Sequence, residues 1–189
     1  MPFNPLISII VPTYNRAELI IETLSSVINQ SYQNWECIVV DDGSDDDTTI
    51  VVQEIIAKEP RIKFFKREIL PKGANKCRNI GIEKSAGTYI IFLDSDDLLA
   101  NFCLKKRVSL YETYSDLDFL VFNTLIFKSK AGDSDTLQNI KTEEDVVDKL
   151  LRRDPPWLIM SPIWKKTSLL KLNGFDETLP CYQEYALSS

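Results

Sequence analysis

Four runs of consecutive apolar residues constrain this chain more than anything else in it: Leu6 to Val11, Cys37 to Val40, Tyr89 to Leu93 and Phe119 to Phe122. They are rich in Ile, Val and Phe and do not alternate with polar residues. Strands buried on both faces look like this, as in a parallel sheet with helices on either side. A weaker run, Ile62 to Phe65, predicts a further strand between the second and third. Between the runs the period becomes helical. From Ala17 to Gln30, Ile20, Leu24, Val27 and Ile28 share one face, and from Thr48 to Lys58, Val51, Ile55 and Ile56 do the same before Pro60. Gly73 to Ser85 forms a third helical stretch, with Gly87 expected as its C-cap, and Asn101 to Tyr114 a fourth. Strand alternating with helix predicts one α/β sandwich with right-handed crossovers. No internal repeat or low-complexity tract interrupts it, and Ser129 to Asp135 is expected to be a mobile loop.

The 189 residues are 44% hydrophobic, enough for one ordinary core. A net charge of -6 excludes a general binder of nucleic acid, which needs a basic footprint. Between Arg61 and Lys84 the balance reverses locally, with eight Lys or Arg residues against two Glu. Most of these form a solvated face, leaving one or two for a phosphate. Histidine is absent, so there is no Ser-His-Asp triad, no His-ligated zinc and no imidazole base. Proton transfer falls to Asp, Glu, Lys, Tyr or Cys. The cysteines at 37, 77, 103 and 181 have no CxxC spacing, and Cys37 and Cys77 read as small core residues. The N-terminus lacks a charged region before its apolar run, and no apolar stretch approaches the ~18 residues that span a bilayer. The setting expected is reducing and cytoplasmic.

In open α/β sheets ligands bind beyond the carboxyl ends of the strands. After the first strand stands Pro12-Thr13-Tyr14-Asn15-Arg16, which is not GxGxxG, and no GxxxxGK[ST] occurs anywhere. Tyr14 has the flat face to stack on a base, or to pack on a neighbouring helix. After the second strand stands Asp41-Asp42-Gly43-Ser44. Adjacent residues point to opposite sides, so one carboxylate faces the crevice while the other satisfies backbone. Ser44 to Asp47 suit the entry of the next helix. After the run ending at Leu93 stands Asp94-Ser95-Asp96-Asp97. Three carboxylates in four residues repel one another and belong at a metal, a cationic ligand or open water. Hard oxygen donors at a strand end suit Mg2+ or Mn2+ bridging a diphosphate.

VPTYNR, VVDDGSDDDT, CRNIG and GTYIIFLDSDD, in that order, resemble family 2 glycosyltransferases of the GT-A fold, as does the later LNGFDETLPCYQEYAL. The resemblance covers nearly the whole chain. It implies a Rossmann-like three-layer sandwich with a mostly parallel central sheet, residues 1–100 binding the donor and 101–189 starting the acceptor side. It further implies that Pro12, Thr13, Tyr14, Asn15, Asp42, Arg78, Asp94 and Ser95 hold the nucleotide, usually a uridine diphosphate. Tyr14 would stack on the base and Asp42 accept its imino hydrogen, with Asn79 bracing the loops. Asp96, with Asp94, would hold Mg2+ or Mn2+, while Asp97 is an extra carboxylate. Glu184, in a Gln183-Glu184 pair where Glu-Asp is common, would be the base of a single inverting displacement onto an acceptor hydroxyl.

The resemblance implies a sugar or lipid-linked sugar acceptor in polysaccharide or glycolipid synthesis, a homo-oligomer, and a cytoplasmic setting at the inner face of the membrane, with Lys105-Lys106-Arg107 and Arg152-Arg153 as the basic groups for peripheral contact. Two rivals stand beside this reading. A haloacid-dehalogenase-like phosphatase would use Asp94 as nucleophile and Asp96 as acid. A nucleotide-sugar-binding module would bind without turnover. Ser189 falls about one turn after Glu184, where a helix would continue, so the expectation is a domain truncated at its C-terminus.

Overall fold

The computed structural model describes residues 3–138, 144–145, 148–149, 152 and 156–178. Its strands are β1 (Ile7–Thr13), β2 (Trp35–Asp41), β3 (Ile62–Lys66), β4 (Tyr89–Phe92), β5 (Phe119–Val121), β6 (Thr124–Leu125), β7 (Leu137–Gln138) and β8 (Pro162–Lys165). Its helices are α1 (Leu19–Ile28), α2 (Thr48–Ile56), α3 (Ala74–Lys84), α4 (Cys103–Thr113) and α5 (Lys166–Lys171). A six-stranded sheet runs in the order β3-β2-β1-β4-β8-β5. β1 pairs in parallel with β2 and β4, and β2 with β3, while β8 lies antiparallel between β4 and β5. All five predicted strands and four predicted helices are present, and the sheet is mostly parallel.

The apolar runs lack alternation because both faces of the sheet are covered. Ile7, Ile9, Val11, Cys37, Val39, Ile91 and Leu93 pack with Ile20, Leu24 and Val27 of α1, Val52 of α2 and Leu104, Val108 and Tyr111 of α4. The intervening residues point the other way. Ile10, Ile90 and Phe92 meet Ile82 of α3, Leu169 of α5 and Phe175, and Ile38 and Val40 meet Cys77 of α3. Each fully buried Ile, Leu or Val contributes roughly 1.5–3 kcal/mol before entropy is charged against it. Cys37 and Cys77 are core residues, as expected. Burial pushes both thiols up, Cys77 to about 12.

Two sequence expectations are corrected here, and β6, β7, β8 and α5 are additional to the elements the sequence pattern predicts. Gly87 is not the C-cap of α3, which ends at Ser85 in extended conformation. Gly87 instead lies against β1, where an added Cβ would run into Ser8. Arg107 does not belong to a basic surface patch: it is 4% exposed, and its guanidinium donates to the carbonyls of Met160 (2.9 Å) and Pro162 (3.2 Å). Ser129 to Asp135 lies in the connection of the β6-β7 hairpin. There the Asp133 carboxylate accepts N–H bonds from Lys128, Ser129 and Lys130. Among the described residues no helix is long and apolar enough to cross a membrane.

Candidate active site

β1, β2 and β4 end side by side, and α3 starts opposite them. Between these ends lies a crevice of about 270 Å3 lined by Pro12, Thr13, Tyr14, Arg16, Asp42, Ala74, Cys77, Arg78, Asp94, Ser95 and Asp96. Seven of the eight residues expected to hold the nucleotide therefore come together, along with Asp96. Asn15 does not line the crevice. Its backbone sits in the left-handed region (φ 51°), and its amide is tied to Asp45, donating at 2.7 Å and accepting the Asp45 N–H at 3.1 Å.

The acidic entry to α2 clamps the turn after β1. Asn15 N–H donates to Ser44 Oγ (2.9 Å), Arg16 N–H to Thr48 Oγ1 (2.9 Å) and Ala17 N–H to an Asp46 carboxylate oxygen (3.2 Å). Asp46 also accepts the Thr48 N–H at 2.9 Å. Ser44 does not cap the helix. Its hydroxyl and N–H both donate to Asp41, the inward member of the Asp41-Asp42 pair. These bonds fix Tyr14 at the rim, 41% exposed, with Lys72 Nζ over its ring at 3.6 Å.

Asp42 faces the crevice, as its neighbour's opposite orientation requires. It is paired with Arg67 and accepts the Gly73 N–H at 2.6 Å. Across the site, the guanidinium of Arg78, 1% exposed, donates to Asp94 at 2.6 Å and to Asn75 Oδ1 at 3.2 Å. Arg16 lies 3.8 Å from the half-exposed carboxylate of Asp96. Burial pushes Asp97 up to about 6, with the charges of Asp94 and Asp96 adding to it. Two polar atoms of the lining, Thr13 Oγ1 and Arg78 Nε, are buried with no hydrogen-bond partner. Buried polar groups are normally satisfied, so orphans in a crevice wall ask for a ligand.

Arg16, Arg67 and Lys72 were not singled out from the sequence. The excess of cations between Arg61 and Lys84 was the available signal for the last two. Of its other members, Arg61 pairs with Glu59, Lys63 with Glu36 and Lys84 with Glu83. Glu184 lies outside the described residues.

The model of glycosyl transferase family 2 matches residues 8–164. The chain belongs to that family. The haloacid-dehalogenase reading falls with this assignment, since Asp94-Ser95-Asp96-Asp97 closes the fourth strand of a glycosyltransferase sheet. An uncharacterised glycosyltransferase of Haemophilus influenzae is 47% identical over 105 residues, covering 56% of this chain and 42% of that protein. A UDP-Glc:alpha-D-GlcNAc-diphosphoundecaprenol beta-1,3-glucosyltransferase of Escherichia coli, WfgD, is 41% identical over 105 residues, covering 56% and 40%. The chain thus spans less than half the length of these relatives. S. aureus TarS 1–349 in complex with UDP-GlcNAc superposes with a TM-score of 0.76 at 25% identity, covering 96% of this chain and 51% of that one. Family and superposition together establish the GT-A architecture.

Proposed function

We propose that this chain carries the donor site of an inverting glycosyltransferase that moves a sugar from a UDP-sugar to a hydroxyl of a lipid-linked sugar acceptor. The convergence of Pro12 to Tyr14, Asp42, Arg78 and Asp94 to Asp96 on one crevice at the strand ends carries this reading. UDP-GlcNAc in TarS and the undecaprenol-linked acceptor of WfgD supply the substrate classes. Tyr14, 41% exposed at the rim with Lys72 over its ring, is the ring proposed to stack on the base. Asp42 offers lone pairs that Arg67 and Gly73 leave free, since a carboxylate has about four acceptor sites. Arg78 stands within the lining, where its unpartnered Nε–H can meet a ribose or phosphate oxygen.

The residues fit a divalent cation. Asp94, Asp96 and Asp97 are hard donors, and Asp97 is raised first by burial and then by the neighbouring charges of Asp94 and Asp96. Among the described residues no three acidic or sulfur side chains converge into a cage. An ion held by Asp96 and Asp94 would therefore draw its other ligands from diphosphate and water. Bound there, Mg2+ or Mn2+ would supply Lewis-acid stabilisation of the leaving diphosphate. The protein's own part is positioning: the β1 turn and α3 fix the nucleotide, and Glu184 is the residue proposed to take the acceptor proton. An enzyme of this kind works at the cytoplasmic face of a membrane that holds the acceptor.

A thermal-shift panel tests the proposal. UDP should raise the melting temperature in Mn2+ or Mg2+, and far less in EDTA, because a bare diphosphate meets the carboxylates of Asp94, Asp96 and Asp97. No shift by any nucleoside diphosphate would refute the donor site. Equal shifts with and without metal would refute the metal role.

A further inference from the structure

α3 does more than wall the donor crevice. Its outward side grips a segment nearly a hundred residues later in the chain. Asn79 donates from Nδ2 to the Phe175 carbonyl (2.9 Å) and accepts the Phe175 N–H on Oδ1 (2.8 Å), so one side chain satisfies both backbone groups of that residue as a neighbouring strand would. The same Nδ2 reaches Glu177 Oε1 at 2.9 Å. One turn earlier, Asn75 donates to the Asp176 carbonyl at 2.9 Å. Asn75 is 4% exposed, and its Oδ1 is the acceptor that Arg78 uses. An unbroken hydrogen-bonded chain therefore runs from Asp94 through Arg78 and Asn75 to the backbone at Asp176.

The segment is shaped for this grip. Asn173 and Gly174 both have positive φ (59° and 71°), which turns the chain back onto α3 after α5. An added Cβ on Gly174 would collide with Asn79 Oδ1, so the close approach needs glycine twice over. Phe175 is 3% exposed and packs edge-on against Phe92 of β4 with ring centroids 4.9 Å apart. The guanidinium carbon of Arg78 lies 5.7 Å from the same ring.

We infer that Asn79, with Asn75, is a positioning residue that registers the Gly174 to Glu177 segment against the donor site, so that one helix sets the spacing between nucleotide and acceptor side. This rests on the donor reading above. The sequence continues from Glu177 to Glu184, the residue proposed as base, and errors of about 1 Å in such geometry can cost about a hundredfold in rate. Asn79 lines no part of the crevice itself, so donor affinity and turnover should separate when it is changed.

Two variants break the contact from opposite sides, Asn79→Ala and Gly174→Ala, and Asn79→Asp keeps only the acceptor for the Phe175 N–H. Amide exchange by mass spectrometry over residues 174–178 should rise in the order parent, Asn79→Asp, Asn79→Ala. UDP affinity in Mn2+ should stay within about threefold, while kcat for donor turnover in the full-length protein falls about tenfold or more. The double variant Asn79→Ala/Gly174→Ala should be no worse than the poorer single one, because both remove one contact. Unchanged exchange at 174–178 in Asn79→Ala would overturn the docking. Faster exchange with unchanged kcat would overturn the positioning role. Loss of UDP affinity equal to the loss of kcat would make Asn79 a donor-site residue instead. Failure of UDP to bind the parent would sink the donor reading, and the exchange pattern alone would still report whether Asn79 holds the segment.

Discussion

Replacing Glu36 separates the stability of the sheet from the chemistry at its other end. Glu36 stands at the amino end of β2, 5% exposed, and collects four donors: Ser8 Oγ (2.7 Å), Lys63 Nζ (2.7 Å), Ala86 N–H (2.6 Å) and Gly87 N–H (3.2 Å). It thus joins β1, β3 and the turn into β4. In Glu36→Ala, Gly87 keeps a bond to Ser8 Oγ at 2.9 Å, and Lys63, about half exposed, turns to water. The Ser8 hydroxyl and the Ala86 N–H lose their acceptor. Two such groups at about 1–3 kcal/mol each give a loss near 3 kcal/mol. At about 2–4 °C per kcal/mol for a chain of this size, the melting temperature should fall by roughly 6–12 °C. Glu36→Gln keeps the Oε1 acceptor for Ser8, Ala86 and Gly87 and loses the charge that meets the half-exposed Lys63, so it should cost clearly less than Glu36→Ala. Burial raises the Glu36 pKa, but hydrogen bonds from Lys63, Ser8 and Ala86 and the Lys63 charge outweigh it, so the value lies below that of an ordinary glutamate. A depressed folded value means the stabilisation is complete above the unfolded pKa of about 4.3 and is lost as pH falls through the folded one. The gap between parent and Glu36→Gln should therefore hold at neutral pH and close in acid. Far-UV circular dichroism melts across pH, with UDP titrations alongside, make the measurement. An Ala variant melting within about 1 °C of the parent would refute the argument, and so would a gap that widens in acid.

Two further outcomes follow from the crevice and the core. Asp42→Ala should weaken UDP about tenfold or more, with pyrophosphate changed little, because the lost acceptor served the base and not the phosphates; equal losses for both ligands would remove Asp42 from base recognition. At pH 8 the native protein should not alkylate at Cys77 or Cys37, whose thiols burial holds far above that pH, whereas both should label on unfolding. Mass spectrometry after a short iodoacetamide pulse reads this, and native labelling at Cys77 comparable to the unfolded chain would refute the packing described for α3.

The parallel strands were legible because covering both faces of a sheet removes polar residues from them, and that leaves a mark on every neighbour in sequence. The strand ends were legible for the converse reason: Pro12-Thr13-Tyr14, Asp41-Asp42 and Asp94-Ser95-Asp96 interrupt apolar runs abruptly. β8 left no such mark. Its four residues between Ser161 and Lys166 pair with β4 and β5 only through contacts distant in sequence. Gly87 follows a helix, and locally that is the signature of a C-cap; only the tertiary approach of Ser8 shows why glycine stands there. Asn15 sits inside a motif read as ligand-binding, yet its amide is spent on Asp45 thirty residues away. Arg67 and Lys63 look alike in a cation-rich stretch, and which carboxylate each meets is decided by strand register, not by local pattern.

On the donor reading proposed above, the pairing of charges in the crevice is what would let so acidic a site receive an anion. Asp42 faces Arg67, Asp94 faces Arg78 and Asp96 faces Arg16. Without those arginines, three carboxylates beside a diphosphate would be mutually repulsive in a region partly shielded from water. With them, a phosphate or ribose oxygen can approach a guanidinium that a carboxylate already orients, and binding exchanges partners without burying new net charge. Orientation matters here more than charge. The fork of Arg78 reaches Asp94 and Asn75 at once, and its Nε–H is buried with no hydrogen-bond partner. A lysine has three donors but not the fixed planar fork, so Arg-to-Lys exchange at this position would keep the charge and lose the geometry that reaches Asp94 and Asn75 together.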